Sequence, residues 1–210
     1  MIRVLIADDH AIVRQGLRQV LALAPELELI GEAKDGWETI EQVRAGGLDL
    51  LLLDLNMPGP NGVELIKRVR EAVPRLPILV LSMHGESQIA RRAIKAGASG
   101  YLTKDSEPET LIAAIRQVAG GAHYIEPAVA ERLLFDAHAS DTELPHLALS
   151  DREFQIFLLL VAGRGVNDIG EALHLSAKTV STHKFRLMQK LGVDNLSDLV
   201  RYALKHELAQ

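Results

Sequence analysis

The sequence predicts an α/β domain with a five-stranded, doubly wound parallel sheet, followed by a smaller all-α domain. Through about residue 120, short apolar runs alternate with segments whose apolar residues recur at positions i, i+3 and i+4. This alternation is typical of a parallel sheet covered by helices on both faces. After Gly120 and Gly121 the strand-like runs stop and helical periodicity remains. A length of 210 residues suits two modest domains.

The elements of the first domain follow from these patterns. The predicted strands are residues 2–7, 27–30, 50–53, 78–81 and 99–103. The predicted helices are residues 11–23, 36–45, 61–73, 86–96 and 107–119. The stretch from Ser106 to Glu109 matches a capping box, which predicts Ser106 as the N-cap of the last of these helices.

A linker is predicted between the two domains. Residues 127–137 have the pattern of one short helix, and the polar stretch that follows contains Pro145 and lacks periodicity. We therefore predict a first domain at 1–121, a linker with a short helix at 122–146 and a second domain at 147–210.

Composition excludes several classes of site. The chain has no cysteine, which excludes disulfides, thiolate catalysis and cysteine-based zinc sites. Because no apolar run reaches membrane-spanning length and the first residues do not form a signal peptide pattern, we expect a cytoplasmic protein with no membrane partner. Residues 146–210 hold 8 Lys and Arg against 7 Asp and Glu, and the rest of the chain holds 15 against 21. This asymmetry indicates different partners for the two domains.

Charged and hydroxyl side chains lie at the carboxyl ends of four predicted strands. Asp8 and Asp9 follow the first strand, Asp54 the third, Ser82 the fourth and Lys104 the fifth. Ligands of open parallel sheets bind at this edge. Three crowded carboxylates require a cation, and ligands that offer only oxygen favour Mg²⁺. Because Ser82 and Lys104 can bind phosphoryl oxygens, the set suits a phosphoryl group with one carboxylate as its acceptor.

Each of these residues also has a simpler interpretation when it is taken alone. Asp9 could be only the N-cap of the first helix. Lys104 could be a solvated loop lysine, and Ser82 could be a hydroxyl that happens to end a strand. Tyr101 matches an aromatic residue packed in a strand. Asp54 is the hardest to explain in this way, because a charge next to a buried strand is costly without partners.

Residues 1–120 resemble the receiver domain of two-component response regulators, which has a flavodoxin-like fold. The residues that carry the resemblance are the Asp8-Asp9 pair, the stretch DLNMPGPNG around Asp54, Ser82, and Lys104 preceded by Tyr101. The resemblance implies that Asp54 accepts a phosphoryl group from a sensor histidine kinase.

The same resemblance implies roles for the neighbouring residues. Mg²⁺ would be bound by Asp9, Asp54 and the backbone carbonyl of Asn56, with Asp8 acting mainly through water. Ser82 and Lys104 would bind the phosphoryl oxygens. Tyr101 would move inward and transmit the signal.

Residues 176–191 are predicted to be the recognition helix of a helix-turn-helix. Val180, Leu187 and Leu191 share one side of the helical wheel, and the helix has basic residues but no acid. These features suit a helix in the major groove. The predicted DNA contacts are Lys178, Thr179, Ser181, Thr182, Lys184, Phe185, Arg186 and Lys190. The alternatives are a solvated basic helix in an interaction bundle and, for Phe185, packing on a neighbour instead of contact with a thymine methyl.

This second part resembles the LuxR-type helix-turn-helix, on the motifs L-S-x-R-E and S-x-K-T-V-x-x-H…K-L. Gly170 stands where that family usually has alanine, and we expect it to weaken its helix by somewhat under about 1 kcal/mol. A receiver joined to this domain is the NarL/FixJ architecture. The resemblance therefore implies a regulator of transcription, not an enzyme, that dimerises when phosphorylated.

The implied partners are a cognate histidine kinase and double-stranded promoter DNA, with RNA polymerase as a further candidate. Two other functions stay open from the residues. One is a Mg²⁺-dependent phosphohydrolase with Asp54 as the nucleophile, and the other is a regulator that binds DNA without phosphorylation.

Overall fold

A computed structural model of the chain describes residues 1–60, 62–83, 87–138, 144–173, 175–206 and 208. The contacts within it group the chain into two units, Met1–Leu134 and Phe135–Gln210. None of the helices in these ranges combines the length and apolarity that crossing a bilayer requires.

The first unit is built on a parallel sheet, as the alternating pattern predicts. Its strands are β1 (Ile2–Ala7), β2 (Leu27–Ala33), β3 (Leu50–Asp54), β4 (Ile78–Ser82), β5 (Gly100–Thr103) and β6 (Tyr124–Ile125). Its helices are α1 (Ala11–Ala22), α2 (Gly36–Ala45), α3 (Gly62–Ala72), α4 (Ser87–Ala96) and α5 (Pro108–Ala119), and a further helix, α6 (Pro127–His138), begins in this unit and extends past Leu134. The strands lie in the order β2-β1-β3-β4-β5-β6, and every pair is parallel.

The sheet has one strand more than the sequence predicts. Tyr124 and Ile125 pair with Gly100 and Tyr101 at the β5 edge. A strand of two residues shows no period, so only its pairing partner identifies it.

Two apolar clusters cover the sheet, one on each face. Leu51 and Leu53 of β3 belong to one cluster, and Leu50 and Leu52 belong to the other. Successive strand residues point to opposite faces, so an uninterrupted run of leucines fills both clusters. Burial of each of these leucines contributes roughly 2 kcal/mol. The run therefore anchors the strand whose last residue is Asp54.

The predicted cap of α5 is wrong. The N-cap residue is Glu107, and its side chain makes no capping hydrogen bond. Pro108 takes the first helical position, where its fixed φ fits and its missing N–H removes one donor that would lack a partner. The Ser106 hydroxyl lies 3.2 Å from the Thr103 hydroxyl.

The second unit is helical. A short 3-10 helix (Pro145–Ala148) precedes α7 (Asp151–Val161), α8 (Val166–Leu173), α9 (Ala177–Leu191) and α10 (Leu196–Lys205). A capping box formed by Ser150 and Glu153 opens α7. Ser176 caps α9, which ends at Gly192 in the left-handed conformation. Helix α9 packs against α7 and α8, so the predicted recognition helix rests on the two helices before it.

Candidate functional site

One ammonium joins two buried carboxylates at the carboxyl edge of the sheet. Asp8 follows β1, Asp54 ends β3 and Lys104 follows β5. Lys104 Nζ lies 2.6 Å from Asp8 Oδ2 and 2.9 Å from Asp54 Oδ2. The exposed fractions of the three side chains are 2% for Asp8, 3% for Asp54 and 7% for Lys104. Strand pairing thus brings together three charges that are far apart in the chain.

Burial and charge act against each other at this ion cluster. Burial raises the pKa of the Asp54 carboxyl above its ordinary value, and the charge of Lys104 opposes that rise only in part. Burial lowers the pKa of the Lys104 ammonium, but its hydrogen bond to Asp8 and the charge of Asp54 outweigh burial, so the pKa is raised. The ammonium therefore stays charged and reduces the cost of burying the carboxylates.

The other carboxylate oxygens indicate a place for a cation. Asp8 Oδ1 accepts a 2.8 Å hydrogen bond from the His10 backbone N–H, and Asp54 Oδ1 accepts a 3.2 Å bond from the Asn56 N–H. Asp9 Oδ1 is buried and accepts no hydrogen bond from the described residues. It lies 2.7 Å from His10 Nδ1, but that contact does not have hydrogen-bond geometry. A buried oxygen in this state requires another partner, and a divalent cation would supply one.

His10 belongs to this group although the sequence interpretation did not include it. One ligand atom from each of Asp8, Asp9, His10 and Asp54 lies within 4.8 Å of the others. His10 is also the N-cap residue of α1, and no side chain caps that helix among the described residues. The alternative in which Asp9 caps α1 is therefore not supported. The signal for His10 was its position directly after the acid pair.

The pairing of β4 with β5 brings the backbones of Ser82 and Lys104 next to each other. Ser82 is buried at the end of β4 and pairs with Thr103. The Lys104 backbone N–H donates a 2.9 Å hydrogen bond to the Ser82 carbonyl. Tyr101 is fully buried in the same apolar cluster as Leu53. Ser82 and Tyr101 therefore lie on two adjacent strands, and Lys104 directly follows the second of them.

The start of α2 holds the turn that follows Asp54. The Gly36 N–H donates a 2.9 Å hydrogen bond to the Pro58 carbonyl. A Cβ on Gly36 would lie 1.8 Å from the Pro60 carbonyl oxygen, and Gly59 packs against the Trp37 ring. Sequence reasoning missed these contacts because they join residues of two separate βα units.

The recognition helix α9 presents a basic and polar surface. Val180, Leu187 and Leu191 are buried, as the helical wheel predicts. Among the eight predicted DNA contacts, Thr179 and Lys184 are half-buried and the others are exposed. Phe185 is 63% exposed, which favours contact with a ligand over packing on a neighbour.

Several of the predicted contacts on α9, among them Thr179, Thr182 and Lys190, have partners within the protein. The Thr182 hydroxyl donates a 2.9 Å hydrogen bond to the Lys178 carbonyl. Lys190 Nζ lies 2.6 Å from Glu153 Oε2 and 3.2 Å from the Ala148 carbonyl oxygen. Burial raises the pKa of Glu153, but bonds from Lys190 and Ser150 outweigh burial and lower the pKa. Lys190 therefore ties α9 to α7, which its position on the helical wheel did not show.

Two family models match the chain. The response regulator receiver domain matches residues 4–116, and the luxR family of bacterial regulatory proteins matches residues 147–203. Together these matches cover the sheet edge with Asp54 and the helix α9.

Relatives match over nearly the whole length. The response regulator UvrY of Escherichia coli O6:H1 is 36% identical over 99% of this chain and 96% of its own. The oxygen regulatory protein NreC of Staphylococcus carnosus is 36% identical over 98% of both chains.

Solved structures of the RcsB response regulator also match. A structure from Salmonella typhimurium has a TM-score of 0.78 and 31% identity, and the match covers 98% of both chains. A structure of RcsB from Salmonella enterica serovar Typhimurium, bound to the promoter rprA with the phosphomimetic BeF3-, has a TM-score of 0.71 and 30% identity. That match covers 96% of this chain and 97% of the other. This chain therefore belongs to the NarL/FixJ family of two-component response regulators, with a receiver domain followed by a LuxR-type DNA-binding domain.

Proposed function

We propose that Asp54 accepts a phosphoryl group from a cognate histidine kinase in a Mg²⁺-dependent reaction. The observation that carries this assignment is the Asp54 carboxylate at a sheet edge, 2.9 Å from Lys104 Nζ and beside Asp8 and Asp9. A carboxylate oxygen of Asp54 forms the new bond to phosphorus as the bond from phosphorus to the donor breaks. Bound Mg²⁺ would neutralise charge on the phosphoryl oxygens.

The chain's own residues provide the remaining interactions. Once Asp54 carries the phosphoryl group, its negative charge lies on the phosphoryl oxygens, and the Lys104 ammonium follows it there. The buried Ser82 at the end of β4 has a hydroxyl that can donate a hydrogen bond to one of these oxygens. Asp8, Asp9, Asp54 and the Asn56 carbonyl would hold the metal ion.

We further propose that phosphorylation favours a dimer that binds promoter DNA through α9. Lys178, Lys184 and Arg186 would bind phosphates, and Ser181, Thr182 and Phe185 would face base edges. Exposure of most of this surface and the promoter-bound RcsB relative support the proposal. Thr179 and Lys190 would contribute less to DNA binding than the other residues, because each already has a partner within the protein. Thr179 bonds to the cap residue Ser176, and Lys190 binds Glu153.

The test compares Asp54, the last residue of β3, with Asp49, which directly precedes the same strand. Asp54→Ala should abolish labelling by acetyl phosphate with Mg²⁺, because the acceptor oxygen is lost. Asp49→Ala is the matched control, since Asp49 pairs with Arg3 at the other end of β3, and it should be labelled as the wild type is. Intact mass spectrometry measures the phosphoryl group.

A DNA-binding assay completes this test. Acetyl phosphate should tighten promoter binding by the wild type and by Asp49→Ala but not by Asp54→Ala. Labelling that persists in Asp54→Ala would remove Asp54 from its role as acceptor.

A further inference from the structure

The imidazole of His10 lies beside the carboxylates of the sheet edge. His10 is the N-cap residue of α1, but its side chain makes no capping hydrogen bond. The side chain is 65% exposed. The backbone N–H of His10 donates to Asp8 Oδ1 at 2.8 Å, so the residue is anchored to the site through its main chain while its ring is accessible.

The distances from this ring are those of ligands around one ion. His10 Nδ1 lies 2.7 Å from Asp9 Oδ1 and 3.5 Å from Asp8 Oδ1. Atoms that bind one ion at about 2.1 Å are roughly 3 Å apart when they are neighbours in its coordination shell. The two measured distances lie on either side of that spacing. Asp9 Oδ1 also accepts no hydrogen bond from any described residue, so it is available to the same ion.

We propose that His10 is a nitrogen ligand of the cation site and a determinant of its metal preference. This inference rests on the cation site of the proposed function. Mg²⁺ prefers oxygen ligands, whereas imidazole nitrogen is a favourable ligand for divalent transition ions such as Co²⁺, Ni²⁺ and Zn²⁺. The three carboxylates serve both kinds of ion. His10 selectively strengthens the binding of transition ions, so the receiver would be loaded by them at concentrations where an oxygen-only site would hold Mg²⁺.

The variant His10→Asn separates nitrogen ligation from the other properties of this position. Asparagine is a favourable N-cap residue, so α1 should stay folded. It offers an amide oxygen, which Mg²⁺ accepts, but no imidazole nitrogen. His123→Asn is the matched control, because His123 is an exposed histidine whose Nδ1 contacts the Ser99 carbonyl oxygen at 3.1 Å.

The experiment uses the full chain and the ions themselves as probes. Isothermal titration calorimetry measures the Kd of Co²⁺ and of Mg²⁺. Pulsed electron paramagnetic resonance with Mn²⁺ in the site measures coupling to a ligating nitrogen. In His10→Asn we expect the Co²⁺ Kd to rise about tenfold, the Mg²⁺ Kd to change by less than about twofold, and the nitrogen coupling to disappear. His123→Asn should behave as the wild type does.

The outcomes separate this inference from the function on which it rests. Asp9→Asn should weaken both ions, because it removes a carboxylate that each of them uses. If Asp9→Asn weakens both ions but His10→Asn changes their two affinities equally or leaves the nitrogen coupling intact, His10 is not a ligand and the cation site stands. If neither ion binds the wild type, or if Asp9→Asn binds both ions unchanged, the cation site of the proposed function fails as well.

Discussion

The sheet edge of the first unit and the helix α9 of the second both concentrate charge, but they hold it in opposite ways. At the sheet edge, Asp8, Asp54 and Lys104 are almost entirely buried and bonded to one another. On α9, Lys178 and Arg186 are exposed, and neither forms an ion pair with a side chain in the described ranges. One region keeps its charges out of water, and the other presents them to it.

This difference teaches what each group of charges is suited for. Buried, paired charges are already oriented and need little reorganisation when charge shifts during phosphoryl transfer. Exposed cations have water and counterions around them, and they gain affinity for a polyanion by releasing those ions. Lys190 lies between the two cases, because its side chain is 40% exposed while its partner Glu153 is 5% exposed.

The largest expected effect contrasts a buried lysine with a half-exposed one. Lys104→Met leaves two buried carboxylates without a cation, so we expect it to lower the free energy of unfolding by about 3 kcal/mol without Mg²⁺. Lys190→Met removes a cation that is 40% exposed, and the Ser150 N–H still donates to Glu153, so its cost should be smaller, about 1 kcal/mol. Urea unfolding of the wild type and both variants measures the two losses in the free energy of unfolding.

Adding Mg²⁺ sharpens this first comparison. The ion should restore part of the stability of Lys104→Met, because it replaces the lost positive charge beside Asp8 and Asp54, and should stabilise Lys190→Met no more than it stabilises the wild type. Equal losses in the two variants would show that burial does not distinguish these lysines.

A second prediction compares glycine positions in the two units. Gly170→Ala should destabilise α8 by about 1 kcal/mol, because the added Cβ would lie 2.8 Å from the Leu175 carbonyl oxygen. Gly16→Ala in α1 has open space around its Cβ, so it should stabilise the protein by about 0.5 to 1 kcal/mol through helix propensity. Thermal unfolding gives the sign of each change.

The expectation that Gly170 simply weakens its helix omitted this contact. The Leu175 N–H also donates a 2.8 Å hydrogen bond to the Gly170 carbonyl, so the turn toward α9 closes directly over this residue. If Gly170→Ala is more stable than the wild type, helix propensity alone accounts for the effect of this glycine and the contact with Leu175 does not matter.

The smallest expected effect concerns the salt dependence of DNA binding. Lys178→Ala should weaken binding and lower the slope of log K against log salt by roughly one counterion, if Lys178 binds a phosphate. Lys190→Ala should change the slope less, because Glu153 and the Ala148 carbonyl already occupy its ammonium. Fluorescence anisotropy at several salt concentrations measures both slopes, and an unchanged slope for Lys178→Ala would assign that residue another role.

Local patterns were enough to predict most of the fold and the three carboxylates, Asp8, Asp9 and Asp54, that lie together at the sheet edge. The apolar run before Asp54 identified the strand β3, and the helical wheel identified the buried side of α9. The cap at Ser106 was wrong because Pro108 competes for the same turn and shifts the N-cap to Glu107. The two-residue β6 could not be recognised without its partner.

The sequence by itself determined which residues stand at the strand ends and which faces of the helices are apolar, because periodicity and turn chemistry act between near neighbours. Only the tertiary structure decided that one ammonium joins Asp8 to Asp54, that Lys190 binds Glu153 and that Gly170 lies under the Leu175 carbonyl. These contacts join residues whose distance depends on how the strands pair and the helices pack, and a local pattern does not carry that information.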